Sequence, residues 1–379
     1  MIGIKNVYIY IMRLIKVFFC IFLFTSVFSW EIRKPLNFPR SYLVAPSVNG
    51  KIYAIGGIKI NNEITNIVEE YDFFNDTWRL KRAMPQKRYD MGFAVVNNKI
   101  YIFGGVTKSH SGRLILVDDL NVYDPERDTW IRKRPLPSPR AGAIGIGLNN
   151  YIYVFGGYDF SYSFLDDVLI YDIERDTWLF CSQIPRPRAR INIGYYESII
   201  HIIGGEYYGP SSRHYGYNLR NNLWDTLLSL PFARYGILNT YLNNEIYLIG
   251  GEYWYQGRTY FLRRFDIYNC ENNYWCLGES INLARSYGGC GILSLPHGNF
   301  IYVVGGKTSS GITGSLEIHQ LSGIKEEKKE NIKNNENYQI LGIYNLLGKK
   351  ITKEDRKGIY FYLIKDKEGY KFKKKIVIK

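Results

Sequence analysis

Six times along the chain an aliphatic run closes on paired glycines: IYAIGG at 52–57, IYIFGG at 100–105, IYVFGG at 152–157, IHIIGG at 200–205, IYLIGG at 246–251 and IYVVGG at 301–306. A Trp followed ten residues later by an Arg also recurs six times, as Trp30 and Arg40, Trp78 and Arg88, Trp130 and Arg140, Trp178 and Arg188, Trp224 and Arg234, and Trp275 and Arg285. From that Arg to the first glycine is 16 residues in five repeats and 20 in the sixth, where Pro296 to Asn299 lengthens a turn. A Tyr stands seven residues before the Trp in five repeats, at Tyr71, Tyr123, Tyr171, Tyr217 and Tyr268. Apart from that lengthened turn, only the stretch between the glycine pair and the Tyr varies in length, which marks it as a surface loop. Each unit of roughly 48 residues holds four short apolar runs separated by turn signals, the pattern of a four-stranded antiparallel blade.

The strands are labelled a to d: a follows the Arg, b is the run into the glycine pair, c ends at the Tyr, and d begins at the Trp. The sixth repeat supplies a, b and c (Ser286 to Leu293, Phe300 to Val304, Ser315 to His319), but no Trp follows His319. The missing d strand stands at the other end, as Trp30 to Leu36. Pairing it beside Ser315 to His319 closes the ring and removes an exposed sheet edge. The expected fold is therefore all-β, a six-bladed propeller over 30–322 closed by its own amino-terminal strand. The Arg before strand a recurs in all six copies, so it reads as a structural hydrogen-bonding residue, because a ligand site needs no six copies.

Paired glycines after an aliphatic strand, Tyr followed by Asp (Asp72, Asp124, Asp172), then Trp, resemble the kelch repeat. The fourth and fifth copies depart from it with Asn218 and Asn269, and the sixth with His319 and Gln320. The resemblance implies the propeller but no single function, since kelch propellers include interaction modules and enzymes.

Composition agrees with sheet and turn: 16% of the residues are aromatic, and there are 34 Tyr and 36 Gly. The net charge of +14 sits mostly at the ends. Lys5, Arg13 and Lys16 stand unopposed in 1–29, and 323–379 holds 16 basic against 8 acidic residues, leaving only +3 between. A basic groove along the propeller is not supported, and no nucleic-acid partner is expected. The basic residues of 1–29 precede an apolar run from Val17 to Phe28, which predicts an export signal cleaved before Trp30. The run is short for a bilayer span, and an uncleaved anchor is the alternative. No stable transmembrane span is expected in the mature chain. Residues 323–337 read as a solvated charged linker.

Residues 338–379 alternate short strands with turns at Gly348, Gly358 and Gly369, which predicts a small β-domain. The run Gly342, Tyr344, Gly348, then Gly358, Tyr360, Phe361 and the closing KKKIVIK resembles the C-terminal sorting domain (type A) of the type IX secretion system. That resemblance implies secretion machinery as a partner and a secreted or cell-surface protein. A basic domain that adheres to anionic polymers is the alternative.

Chemistry is scarce. The five histidines show no metal-ligand spacing, no cofactor or metal is expected, and the glycine pairs precede variable loops where a phosphate-binding loop would need a helix. Asp118 with Asp119, and Asp166 with Asp167, read as turn caps. Cys270 and Cys276 flank a predicted hairpin turn and either pair in an oxidising compartment or stay free. The b–c loops and the d–a turns leave the same end of the blades, and loops three to five are unusually aromatic. Tyr207, Tyr208, Trp254 and Tyr255, with Arg190, Arg213, Arg258 and Arg263, are the candidate binding residues, and Glu206 and Glu252 follow the glycine pair in adjacent blades. Flat rings beside guanidinium and carboxylate groups suit a glycan or a protein partner. A second reading follows a resemblance to the six-bladed kelch sugar epimerases of bacterial envelopes, in which Glu206, Glu252 and Arg213 would be catalytic.

Overall fold

The computed structural model describes residues 29–321 and, beyond them, the strands Gln339–Asn345, Lys350–Ile351, Gly358–Asp366 and Gly369–Val377. The export signal expected over 1–29 lies outside the described residues except for Ser29, and so does the linker expected over 323–337.

Each repeat forms one four-stranded antiparallel sheet in the order a, b, c, d. Blade 1 comprises Ser47–Val48, Lys51–Ile55, Val68–Asp72 and Thr77–Lys81, and blade 2 Gly92–Val96, Lys99–Phe103, Leu120–Asp124 and Thr129–Lys133. Blade 3 comprises Ile144–Leu148, Tyr151–Phe155, Asp167–Asp172 and Thr177–Gln183, and blade 4 Asn192–Tyr196, Ile199–Ile203, His214–Asn218 and Leu223–Thr226. Blade 5 comprises Leu238–Leu242, Glu245–Ile249, Phe265–Asn269 and Tyr274–Leu277. Blade 6 uses Gly289–Leu295, Gly298–Val304 and Leu316–Gln320, and takes Glu31–Arg33 as its fourth strand. Glu31 lies opposite Ile318 and Arg33 opposite Leu316, so the ring closes as the repeat count requires. The strands beyond 338 pair antiparallel in the order Lys350–Ile351, Gln339–Asn345, Gly358–Asp366, Gly369–Val377.

The core is divided among the blade junctions. Strand b of blade 1 is buried at every residue but its first, because both of its faces press on a neighbouring sheet, whereas strand d has mostly exposed residues at the rim. Apolar side chains from adjacent blades fill each junction, for example Leu43, Ala45 and Ile52 of blade 1 against Tyr302, Val304 and Leu316 of blade 6.

Each junction is also pinned by its Trp. Trp78 Nε1 donates to Lys34 O at 2.7 Å, Trp130 to Arg82 O at 2.9 Å, and Trp178 to Arg134 O at 3.0 Å, in each case across to the preceding blade. Trp224 bonds Ser182 Oγ at 3.1 Å and Trp275 bonds Leu228 O at 3.0 Å. The N–H of the same acceptor residue is taken by an Asp: Lys34 N–H by Asp76, Arg82 N–H by Asp128 and Arg134 N–H by Asp176. Those carboxylates also accept the hydroxyls of Tyr71, Tyr123 and Tyr171. Tyr, Asp and Trp of a repeat thus act as one clamp on the blade before it. Asn222 and Asn273 accept the Tyr217 and Tyr268 hydroxyls in the same way, and Asn218 and Asn269, which replace the Asp after the Tyr, still accept a turn N–H as Asp72 does, from Arg220 and Asn272.

The six repeat arginines are fully buried. Each donates to the carbonyl of the first glycine of its own blade, from Arg40 to Gly56 O at 3.2 Å through to Arg285 to Gly305 O at 3.0 Å. Their role is structural, as the recurrence indicates. Cys270 and Cys276 are both free, and Cys276 lies exposed on the outer strand of blade 5.

Candidate functional site

Two residues after each buried Arg the backbone turns left-handed, at Tyr42, Asp90, Gly142, Arg190, Gly236 and Tyr287, with φ between 48° and 63°. These residues line a central channel with a cavity of about 140 Å³. A circuit of backbone hydrogen bonds joins them: Asp90 N–H to Tyr42 O, Gly142 N–H to Asp90 O, Arg190 N–H to Gly142 O, Tyr287 N–H to Gly236 O and Tyr42 N–H to Tyr287 O, at 2.7–3.2 Å. A second circuit runs beside it, in which the second glycine of blades 1, 2, 3, 5 and 6 donates to the next blade's Arg carbonyl. The approach is close enough that a Cβ on Gly156 would lie 2.3 Å from Arg188 O, so only glycine fits there. Both circuits lapse between blades 4 and 5. There the Asn239 side chain brackets Ile193 instead, with Nδ2 donating to its carbonyl at 2.6 Å and Oδ1 accepting its N–H at 3.3 Å.

Side chains at the channel mouth form a connected polar cluster. Arg190 Nη2 pairs with Asp90 at 2.8 Å and Nη1 with Glu206 at 2.6 Å. The rings of Tyr42, Tyr158 and Tyr287 surround its guanidinium at 5.3–5.8 Å. Tyr42 and Tyr287 stack at 4.3 Å with Lys307 over both. The Tyr158 hydroxyl donates to Asp90, that of Tyr287 to Glu206, and the Ser286 hydroxyl to Glu252. Burial works against the Arg190 charge, but Asp90 and Glu206 override it and hold the guanidinium firmly protonated. Burial pushes the Glu206 carboxyl above the usual range and keeps all three phenols neutral. The cluster is self-satisfied: its acids are engaged by its own arginine and hydroxyl groups.

The remaining sequence-predicted residues lie outside that cluster. The hairpin Glu252–Tyr255 and Arg258–Phe261 presents Trp254, 67% exposed, with Tyr255 opposite Arg258. Tyr207 and the 81% exposed Tyr208 edge onto Phe164 of blade 3. Arg213 lines a pocket with Arg186 and Arg188, and Arg263 donates back to Ile281 O at 2.5 Å, bracing its own loop. Part of the aromatic enrichment serves packing, since Tyr158 and Tyr215 are buried and Tyr253 stacks on Tyr260. Sequence reasoning missed Tyr42, Asp90, Tyr287 and Lys307. The signal for the first three was their fixed offset from the repeat Arg. It also missed that His201 and His214, thirteen residues apart, meet at 3.0 Å within blade 4. Among the described residues no group of three or more His, Cys, Asp or Glu is arranged to hold a metal, and no helix is long and apolar enough to cross a membrane.

Six blades, a terminal strand closing the ring, and the Gly-Gly, Tyr-Asp and Trp signatures define a kelch-type six-bladed propeller. The chain belongs to the Attractin/LZTR1 beta-propeller family, whose family model matches residues 52–312. Beta-scruin of Limulus polyphemus is 32% identical over 136 residues, covering 35% of this chain and 15% of beta-scruin. Human Kelch repeat and BTB domain-containing protein 12 is 29% identical over 146 residues, 34% of this chain and 23% of its own length. The chain therefore spans less than a quarter of these relatives. A solved structure described as "Structure of YjhT" superposes with a TM-score of 0.65 over 76% of this chain and 99% of that one, at 17% identity, a likeness of fold alone.

Proposed function

We propose that the protein is a binding module whose b–c loops on blades 3 to 5 hold a protein partner. The lopsided exposure of aromatic side chains carries this reading. Tyr162, Tyr208, Trp254 and Tyr255 stand out from these loops, whereas loops one and six contain no aromatic residue. Rigid aromatic area is the usual anchor of an interface. Kelch propellers are typically protein-binding modules, which adds support. A glycan is the second reading, favoured by the exposure of Trp254 and Tyr255 beside Arg258, a flat surface with polar neighbours. The epimerase reading draws less support. Ligand pockets commonly measure about 300–1,000 Å³, the channel cavity about 140 Å³, and Arg213 lies in a different pocket.

The partner is proposed to lie outside the cell. The apolar run after Lys16 and the sorting-type residues of 338–379 support export, with the secretion machinery as a second partner.

The test is retention of the full chain on a surface-protein array and a glycan array, with parent and Trp254→Ala compared. Loss of an exposed central Trp should weaken retention by about ten- to a hundredfold while circular dichroism stays unchanged. Signal confined to the glycan array would select the second reading, and equal retention of mutant and parent would move the site off this face.

A further inference from the structure

Four of the six buried repeat arginines have a carboxylate partner: Glu69 for Arg40, Asp167 for Arg140, Asp266 for Arg234 and Glu317 for Arg285. Three of those acids occupy one register position. Glu69 lies opposite Ala54, Asp266 opposite Leu248 and Glu317 opposite Val303, each one residue before the end of strand b. In blade 4 that position, opposite Ile202, belongs to Tyr215. Its ring lies 5.0 Å from the Arg188 guanidinium, where blades 1, 5 and 6 put a counter-charge; blade 2 has Asn121 and blade 3 Leu169 at this position.

Blade 4 also adds positive charge. Arg186 and Arg213 share a cavity of about 330 Å³ with Arg188, Tyr207, Ser211 and Ser212. Among the described residues none of the three arginines has an ion-pair partner, although Arg188 is only 1% exposed. Burial lowers the proton affinity of Arg188, the Tyr215 ring opposes this, and the fields of Arg213 and Arg186 add to the lowering. A buried guanidinium without a counter-ion is costly to hold, and here two like charges are gathered onto it.

We infer that this pocket binds a divalent oxyanion, the phosphate or sulfate group of a ligand, which supplies the counter-charge that blade 4 lacks. A guanidinium fork matches two oxygens of such a group in bidentate fashion, and the Ser211 and Ser212 hydroxyls add donors. A carboxylate would bring a single negative charge to three arginines. The site lies apart from the channel cluster, where Arg190 is already neutralised by Asp90 and Glu206. The inference stands independently of the partner assigned to the aromatic loops.

The experiment is calorimetric titration of the full chain with inorganic phosphate and with inorganic sulfate, against acetate and chloride at equal ionic strength. Saturable binding of the two divalent anions is expected, with acetate much weaker. Phosphate binding should strengthen as pH rises through about 7, where inorganic phosphate loses its second proton, roughly one unit above a phosphate monoester, while sulfate binding stays flat. Arg186→Gln and Arg213→Gln should each weaken binding about tenfold or more, and Arg127→Gln, at an exposed turn of blade 2, should leave it unchanged. Tyr215→Glu, which places the acid of blades 1, 5 and 6 at this position, should abolish binding in a folded protein. Binding of phosphate and sulfate no stronger than chloride, equal binding of acetate, or undiminished binding by both arginine variants would overturn the inference.

Discussion

Trp30 Nε1 donates to the carbonyl of Glu279 at 2.7 Å, and the Asn282 side chain returns a 2.7 Å bond to the carbonyl of Trp30. This is the sixth member of the Trp series, made between residues 249 apart in sequence. The ring is thus fastened at its seam by an indole bond like those of the other junctions, with His319 rather than Tyr against the indole, and Trp30 also packs among Phe265, Ile281 and Ile301.

Truncating that anchor should cost more than its hydrogen bond. Trp30→Ala removes a buried indole, about 3–5 kcal/mol, and should lower the melting temperature by about 6–10 °C. Trp30→Phe keeps much of the packing and should lose about 1 kcal/mol. Deleting Trp30 to Leu36 should destabilise further by baring Leu316–Gln320. A melting temperature unchanged by the deletion would refute closure by this strand.

Arg190 holds two acids that are only about 9% exposed, Asp90 and Glu206. Arg190→Met should leave both buried without a cation and lower stability by about 3 kcal/mol. Adding Asp90→Asn and Glu206→Gln should restore much of the loss, a coupling that a denaturant-based mutant cycle measures. Simple additivity would show that the three do not act as a unit.

The paired histidines of blade 4 set an acid limit. Burial lowers His201 to about 4, and burial together with the neighbouring His201 lowers His214 to about 3, from an ordinary 6.5. The unfolded chain therefore binds these protons first. The pair's contribution is complete above about pH 6.5 and is lost as pH falls toward 4 and 3. His201→Phe should flatten the stability profile between about pH 6 and pH 4, as read by urea unfolding. An identical profile in parent and variant would exclude the pair as the cause.

Residues 338–379 should act as a transport tag in a host with type IX machinery. Fused to a periplasmic reporter, the segment should bring it to the cell surface or the medium. Retention in the periplasm would leave the tail a basic β-domain only.

The propeller was legible because its repeats tie several signals to one offset. Trp to Arg is always ten residues and Arg to glycine nearly always 16, so blade count, strand order and even the donated strand follow from counting. The site was harder to read. Glu206 and Arg190 were picked out for their residue type, and both reach the channel mouth. Their partner Asp90, however, lies 100 residues from Arg190, and no local pattern couples the two. Exposure was equally hidden, since Tyr158 and Tyr162 sit in one loop yet only Tyr162 faces water. Local sequence reports which loops are aromatic, and the packing of neighbouring blades decides which rings remain free.

The junction between blades 4 and 5, where both backbone circuits lapse and Asn239 stands in, has a consequence for how the molecule comes apart. A ring whose ends are held by backbone and indole bonds, with one internal joint held partly by a side-chain amide, yields first at that joint. The amides of Ile193 and Gly236 should therefore exchange with solvent ahead of those of Glu31–Arg33. Fraying would begin at a place the chain crosses without a break, and the splice between its ends would outlast it.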